Sequence, residues 1–119
     1  MSIVLRRSLL RLLSGAGVTA GLSAAGGALA DEPPSFVLTI KDHRFEPAEL
    51  VVPANTKIKL VVRNLDPTPE EFESVSLRRE KVIPGRGEGV VYIGPLSPGR
   101  YDMFGDFNPK TARGFIVAQ

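Results

Sequence analysis

The sequence predicts an all-β protein, an antiparallel sandwich of short strands, on three observations. Short apolar runs recur at regular spacing, groups rich in proline and glycine separate them, and no segment has a long helical period. The clearest run is residues 57–62, where Ile58, Leu60 and Val62 occupy alternate positions. A period of two is typical of a strand with one buried face.

The first half of the predicted domain contains three of these strands. One begins at residues 36–40 and ends near Pro47, and residues 50–52 form the next. The turn-forming group at residues 53–56 separates that strand from the one at 57–62. Each predicted strand is therefore bounded by residues that favour a turn.

The second half begins with a turn. The segment 63–69 contains Pro67 and Pro69, which lack amide donors, so a regular strand cannot continue through it. Further turns are expected at residues 84–87 and 95–99, where proline and glycine recur. The strands predicted between and beyond these turns are residues 71–77, 90–93, 100–104 and 114–117.

Residues 1–30 have the composition of a cleaved export signal. Three arginines are followed by a Leu/Ala/Gly/Val segment, and Ala28-Leu29-Ala30 fits a cleavage site of small residues. We therefore expect a mature chain that begins at Asp31, one domain over residues 31–119, and a periplasmic location.

Two alternatives concern this leader. A membrane anchor is disfavoured because five glycines interrupt the segment from residue 12 to residue 30. The segment Arg6-Arg7-Ser8-Leu9-Leu10-Arg11 is similar to a twin-arginine signal, so the general and the twin-arginine export routes both stay open.

The charge balance changes when the leader is removed. The whole chain has a formal charge of +2, but three of its fifteen Lys and Arg residues lie in the leader and none of its thirteen Asp and Glu residues do. The mature domain therefore has a formal charge of −1, which excludes a basic surface for nucleic acid. The mixed run 78–81 is expected to be a solvated loop, or a patch that docks an acidic partner.

Three features of the mature sequence resemble the cupredoxin superfamily. They are the order Asp42-x-x-Phe45-x-Pro47-x-x-Leu50-x-Val52-Pro53-Ala54, a strand that ends in Asn64-x-Asp66, and a proline and glycine turn before Tyr101. The resemblance implies a cupredoxin-like Greek-key β-sandwich of two sheets. It also implies a metal site at one end, between the fourth strand and the loop that joins the last two strands.

The resemblance does not transfer the copper ligands. The first histidine of the family falls at Glu70, its cysteine near Gly105, its second histidine near Asn108 and its methionine near Thr111 or Ala112. Blue copper requires a thiolate, and the chain contains no cysteine. The sequence therefore excludes type 1 copper.

Four segments are similar to a narrower group, the periplasmic cupredoxin-like proteins of bacterial iron uptake operons. Asn108 stands where that group has histidine. The resemblance implies two partners, an inner-membrane high-affinity iron permease and a periplasmic iron-binding protein, and a role in oxidising or transferring ferrous iron. The segments are residues 68–74, 79–85, 93–96 and 104–114.

Carboxyl groups are the main candidate metal ligands. Glu70, Glu71 and Glu73 form the densest group, and carboxylates suit hard or borderline cations such as iron. On a strand, Glu71 and Glu73 share one face, whereas Glu70 lies at the core-side rim if Phe72 points to the core. The alternative is a solvated acidic edge that discourages strand pairing.

His43 and Asp106 complete the predicted site. His43 is the only histidine, and the resemblance places its loop near the metal end; the alternative is a solvated surface residue. Asp106 lies beside the former cysteine position, where its carboxyl group either binds metal or accepts hydrogen bonds from its own turn. We expect His43, Glu70, Glu71 and Asp106 to bind an iron or copper ion.

Three functions fit these residues. The first is a periplasmic accessory protein of iron uptake that binds iron or copper. The second is an interaction module without metal, with a copper carrier as a further alternative. The third is a ferroxidase, which requires an electron acceptor that this chain does not encode. The sequence suggests no nucleophile and base pair, because it has one histidine and no cysteine.

Overall fold

The computed structural model describes residues 32–119, which form nine β-strands and no helix. The export signal predicted at residues 1–30 and the cleavage before Asp31 lie outside these residues. No helix in the described part of the chain is long and apolar enough to cross a membrane. The strands are β1 Ser35–Lys41, β2 Arg44–Glu46, β3 Glu49–Val52, β4 Ile58–Asn64, β5 Glu70–Ser74, β6 Arg79–Ile83, β7 Glu88–Ile93, β8 Gly99–Gly105 and β9 Arg113–Ala118.

The strands form two sheets, in the orders β2-β1-β4-β7 and β3-β9-β8-β5-β6. The predicted sandwich is therefore confirmed, but its sheets are mixed rather than purely antiparallel. Strand β1 is parallel to β4, and β3 is parallel to β9. The reason is that the chain crosses to the second sheet at β3 before β4 returns beside β1, and such a crossover permits parallel pairing where a hairpin does not.

The core lies between the sheets and is built from alternate residues of each strand. In β4, Ile58, Leu60 and Val62 are fully buried, as the period of two predicted. In β5, Phe72 is fully buried and its ring lies 6.2 Å from that of Phe45. The core side chains from both sheets are Leu38, Ile40, Phe45, Leu50, Val52, Ile58, Leu60, Val62, Phe72, Ile83, Val91, Ile93, Leu96, Met103, Ala112, Ile116 and Ala118.

Two predicted segments differ in the structure. The single strand expected to end near Pro47 is a hairpin, because Asp42 and His43 form a two-residue turn with positive φ angles of 53° and 57°. The loop expected at residues 78–81 lies largely within β6. This strand is at the edge of its sheet and only Ile83 in it is buried, so it has no apolar alternation to detect.

The strand predicted at residues 71–77 begins one residue earlier and ends at Ser74. A residue of strand β8 determines where β5 ends. The side chain of Asp102 in β8 accepts hydrogen bonds from the backbone N–H groups of Val75, at 3.0 Å, and Ser76, at 2.9 Å. These bonds hold the chain in a turn where the sequence suggested a continued strand.

Candidate functional site

Strand β5 places its glutamates on two faces. Glu70, Phe72 and Ser74 point inward and are buried, whereas Glu71 and Glu73 point outward and are half-buried. This is the division that the sequence predicted if Phe72 faces the core. The two faces therefore have to be considered as separate sites.

On the inner face, the side chain of Glu70 is only 1% exposed and contacts three donors. Its Oε1 atom accepts hydrogen bonds from the backbone N–H groups of Glu71, at 3.0 Å, and Phe107, at 2.8 Å. Its Oε2 atom accepts a bond of 2.7 Å from the Nδ2 atom of Asn108. Glu70 thus joins β5 to the β8–β9 loop, residues 106–112.

The last residue of β8, Gly105, leaves the space that the Glu70 side chain occupies. A Cβ atom at position 105 would lie 2.6 Å from the Cδ atom of Glu70 and 2.8 Å from its Oε2 atom. Such distances are too short for two non-bonded atoms, so any larger residue requires Glu70 to move. Close approach, and not a positive φ angle, explains glycine at this position.

This inner end does not fit a type 1 copper ion. The chain has no cysteine, and the carboxyl group of Glu70 occupies the volume beside Gly105 where a side chain at that position would begin. A carboxyl group and an amide, Glu70 and Asn108, stand at the two positions that the resemblance assigned to histidines. The donor set therefore lacks both the thiolate and the imidazoles that blue copper requires.

On the outer face, three carboxyl groups converge. Glu71, Glu73 and Asp106 each offer a ligand oxygen, and these oxygens all lie within 4.8 Å of one another. The backbone N–H of Asp106 donates a hydrogen bond of 2.8 Å to the carbonyl oxygen of Glu71, which fixes the loop against the strand. We call Glu71, Glu73 and Asp106 the outer cluster.

A fourth carboxyl group, Glu80 of β6, lies directly opposite Glu73 in the strand pairing. Like charges at directly opposite positions destabilise a pair of strands. The cations of β6 point to the other face, where the Nε atom of Arg79 donates to the carbonyl oxygen of Tyr92 at 2.9 Å. Glu80 was missed as a neighbour of the site because the sequence predicted a loop at its position.

The negative charges of this face act on one another. Desolvation, a hydrogen bond with Glu80 and the charges of Glu80, Glu73 and Asp106 all raise the pKa of Glu71. Desolvation, with the charges of Asp106, Glu80 and Asp102, raises the pKa of Glu73. The folded protein therefore holds these carboxyl groups close together at an electrostatic cost.

His43 lies at the tip of the β1–β2 turn, which the carboxylate of Asp66 supports. Asp66 accepts the backbone N–H groups of Asp42 and His43 at 2.8 and 2.9 Å, and the Nδ1 atom of His43 lies 3.5 Å from its Oδ2 atom. Burial opposes ionisation of Asp66, but these two bonds and the charges of His43 and Arg86 outweigh it and lower its pKa. Asp66 was not among the predicted site residues, although the motif Asn64-x-Asp66 marked its position.

His43 also lies beside the β8–β9 loop, as the resemblance implied. Together with residues 107–111 it lines an open depression of about 380 Å³, which we call the loop depression. The four predicted ligands are therefore distributed over three places. Glu71 and Asp106 meet in the outer cluster, Glu70 faces the core, and His43 borders the loop depression. The ligand roles of all four residues stay predictions.

Two comparisons of sequence relate this chain to other proteins. A family model described as a cupredoxin-like domain matches residues 13–118. An uncharacterized protein of Rickettsia prowazekii (strain Madrid E) is 49% identical over 80 residues, which are 67% of this chain. These residues span 64% of that relative, which is less than two thirds of its length.

Solved structures with little sequence identity have a similar fold. One is a copper binding protein in its apo form, with a TM-score of 0.64 and 16% identity, over 74% of this chain and 90% of the other. Another is auracyanin A, a blue copper protein of Chloroflexus aurantiacus, with a TM-score of 0.62 and 11% identity, over 72% of this chain and 99% of the other. At this level of identity the likeness concerns the fold alone.

Proposed function

The chain belongs to the cupredoxin-like domain family, and from that premise we propose that it is a periplasmic accessory protein of bacterial iron uptake. In this proposal the exported domain binds iron, or copper in its place, on the outer cluster. It then passes the ion to an inner-membrane iron permease, with a periplasmic iron-binding protein as the second partner. The resemblance of the sequence around Glu70 and Asp106 to proteins of iron uptake operons supports this choice of cargo.

The observation that carries the proposal is the convergence of three carboxyl oxygens within 4.8 Å on the outer face. Oxygen ligands suit hard and borderline cations. Desolvation first, and neighbouring negative charges after it, raise the pKa of both Glu71 and Glu73, and a bound cation would offset the part that is due to charge. A cation would therefore gain ligands and remove a repulsion at the same time.

The position of the outer cluster suits a transferred ion. Two of its carboxyl groups are carried by β5, a strand paired on both sides, and the third is held by the hydrogen bond between Asp106 and Glu71. Asp106 is exposed and the glutamates are half-buried, so an ion there stays accessible to a partner. We propose binding and transfer only, because oxidation of ferrous iron requires an electron acceptor.

Calorimetric titration tests the proposal. We expect saturable binding of ferrous ion under anaerobic conditions, and Glu73→Gln and Asp106→Asn each to weaken it by roughly tenfold, about 1.4 kcal/mol. Glu49→Gln is the matched control, because Glu49 is an exposed strand glutamate that pairs with Arg100 at 2.6 Å. A parallel titration with cupric ion tests whether copper binds at the same carboxyl groups; tighter binding of cupric ion is expected for either carrier. Absence of saturable binding, or equal binding by all variants, would reject the site.

A second candidate is an interaction module that needs no metal. The feature that favours it is the loop depression, where Phe107 is 50% exposed beside His43 and Lys110. Aromatic side chains are enriched at protein–protein interfaces. If the titrations detect no binding, this candidate is the better account of the domain.

A further inference from the structure

We infer that Glu70 and Asn108 form a hydrogen-bonded plug that closes the inner end of the sandwich, where the family resemblance places a metal. We call Glu70, Gly105, Asn108 and the backbone N–H of Phe107 the inner plug. Its hydrogen bonds join strand β5 to the β8–β9 loop, a connection that a bound metal ion could otherwise make. This inference goes beyond the proposed function and does not depend on metal binding at the outer cluster.

The plug fills the space beside Gly105. The carboxyl group of Glu70 occupies the space beside Gly105, and the Cβ atom of Ala112 lies 2.8 Å from the Cβ that position 105 lacks. Both neighbours are buried, Glu70 at 1% exposure and Ala112 fully. The space beside Gly105 is therefore filled by protein atoms.

The plug also supplies the Glu70 carboxyl group with three hydrogen-bond donors. A buried carboxyl group is costly unless hydrogen bonds satisfy it, and Glu70 accepts three of 3.0 Å or less. Two of the donors, the Phe107 N–H and the Asn108 side chain, belong to the β8–β9 loop. The three bonds occupy three of the about four acceptor positions of a carboxylate, so only one position, on the Oε2 atom, stays open to another partner.

The β8–β9 loop is closed around the plug by hydrogen bonds of its own backbone. The carbonyl oxygen of Asn108 accepts the N–H of Ala112 at 2.9 Å, and Gly105 and Ala112 bond across the loop ends at 2.9 Å. The side chain of Asn108 is thus presented to Glu70 by a loop whose backbone is bonded to itself. We infer that this loop is ordered without any ion, and that the plug restricts metal binding to the surface.

The plug is tested by exchanging the acid and amide functions between positions 70 and 108. All measurements are made in a metal-free buffer that contains a chelator. Asn108→Asp places two carboxyl groups face to face, so we expect the Tm to fall by about 10 °C or more. Glu70→Gln keeps an acceptor for Phe107 and can pair with a rotated Asn108 amide, so its Tm should fall by only a few degrees. The double variant restores a donor opposite an acceptor, and its Tm should return close to that of Glu70→Gln.

Amide hydrogen exchange supplies a local measurement on the same samples. The N–H of Phe107 should be protected in the metal-free wild type and in Glu70→Gln, and should lose protection at least tenfold in Asn108→Asp. Recovery in the double variant excludes a general failure to fold as the cause.

The plug is rejected if the losses of the two single variants simply add in the double variant. It is also rejected if the Phe107 N–H is unprotected in the metal-free wild type. Neither result depends on whether the outer cluster binds ferrous ion, because every sample is free of metal. Failure of the plug and failure of the proposed function are therefore distinguishable.

Discussion

Two neighbouring residues of one strand, Glu70 and Glu71, have opposite surroundings. Glu70 points inward and accepts three hydrogen bonds, whereas Glu71 points outward and faces the carboxyl groups of Glu73, Glu80 and Asp106. The residue type and the strand are the same, and only the direction of the side chain differs. The number of donors around a carboxyl group, and not its place in the sequence, therefore decides whether its hydrogen-bonding capacity is already used.

Asp66 and Asp102 belong with Glu70 in this comparison. Each accepts two backbone N–H groups, and Asp102 also accepts the hydroxyl of Ser76. Burial opposes the ionisation of Asp102, but the bonds from Ser76 and Val75 outweigh it and lower its pKa. These carboxylates support turns, whereas those of the outer cluster remain available to a cation.

The largest effect is expected at Asp66. Asp66→Ala removes the acceptor of two N–H groups in a turn with two positive φ angles. We expect it to lower the free energy of unfolding by about 2 to 3 kcal/mol, and the Tm by about 10 °C or more. Thermal unfolding followed by circular dichroism measures this. Asp66→Asn keeps one acceptor oxygen, so its Tm should lie between those of the wild type and Asp66→Ala. An unchanged Tm for Asp66→Ala would show that Asp66 does not stabilise the turn.

The pH dependence of stability should separate the two classes of carboxyl group. The folded protein holds protons on Glu71 and Glu73 more tightly than the unfolded chain does, because their pKa is raised. The stability from this source is present below the ordinary pKa of about 4.3 and is lost as the pH rises through the raised values. We therefore expect the Tm of the metal-free protein to rise as the pH falls from neutral toward 4.3.

The lowered pKa values of Asp66 and Asp102 predict the opposite sign. Their contribution is present above the ordinary aspartate pKa of about 3.9 and is lost as the pH falls through the lowered values. The double variant with Glu71→Gln and Glu73→Gln should lose the rise in Tm between neutral pH and about 4.3. It should keep the fall in Tm at lower pH. A steady loss of Tm from neutral pH, identical in wild type and variant, would contradict this division.

The pH dependence of metal binding tests the predicted role of His43. Binding by the outer cluster alone should weaken only where its carboxyl groups take up protons. A loss of ferrous affinity that begins at a higher pH than this, and is absent in His43→Ala, would instead make the imidazole a ligand, because histidine must be neutral to bind a metal. The titration is the one described above, repeated at several pH values.

The smallest expected effect is on colour. Protein saturated with cupric ion should show no intense absorption band near about 600 nm, because that band requires a copper–thiolate bond. The measurement is an absorption spectrum before and after the ion is added. Appearance of the band would overturn the conclusion that the inner end is closed to type 1 copper.

Much of the fold was predictable from the sequence, because the strands are short and bounded by turn-forming residues. The division of β5 into two faces also followed from its period of two and from Phe72. Strand β6 was not predictable, since an exposed edge strand has no buried face to record in its sequence. The parallel pairings depend on which sheet each strand joins, which no local pattern specifies.

The site was predictable in its parts but not in its arrangement. Glu71 and Asp106 were expected to be close, and they are, in a cluster that also contains Glu73. The bonds of Glu70 to Phe107 and Asn108 depend on the fold of a loop more than thirty residues away along the chain. Such long-range contacts decide whether a carboxyl group is satisfied, and they leave no signature at the glutamate itself.

We propose that the outer cluster binds a cation at the expense of stability. The most direct test measures two quantities on Glu73→Gln, the urea midpoint without metal and the anaerobic affinity for ferrous ion. We expect a higher midpoint than in the wild type, because the charge opposite Glu80 is removed, together with an affinity roughly tenfold weaker. A lower urea midpoint with an unchanged affinity for ferrous ion would contradict this proposal. Glu73 would then stabilise the fold, as Glu70 does.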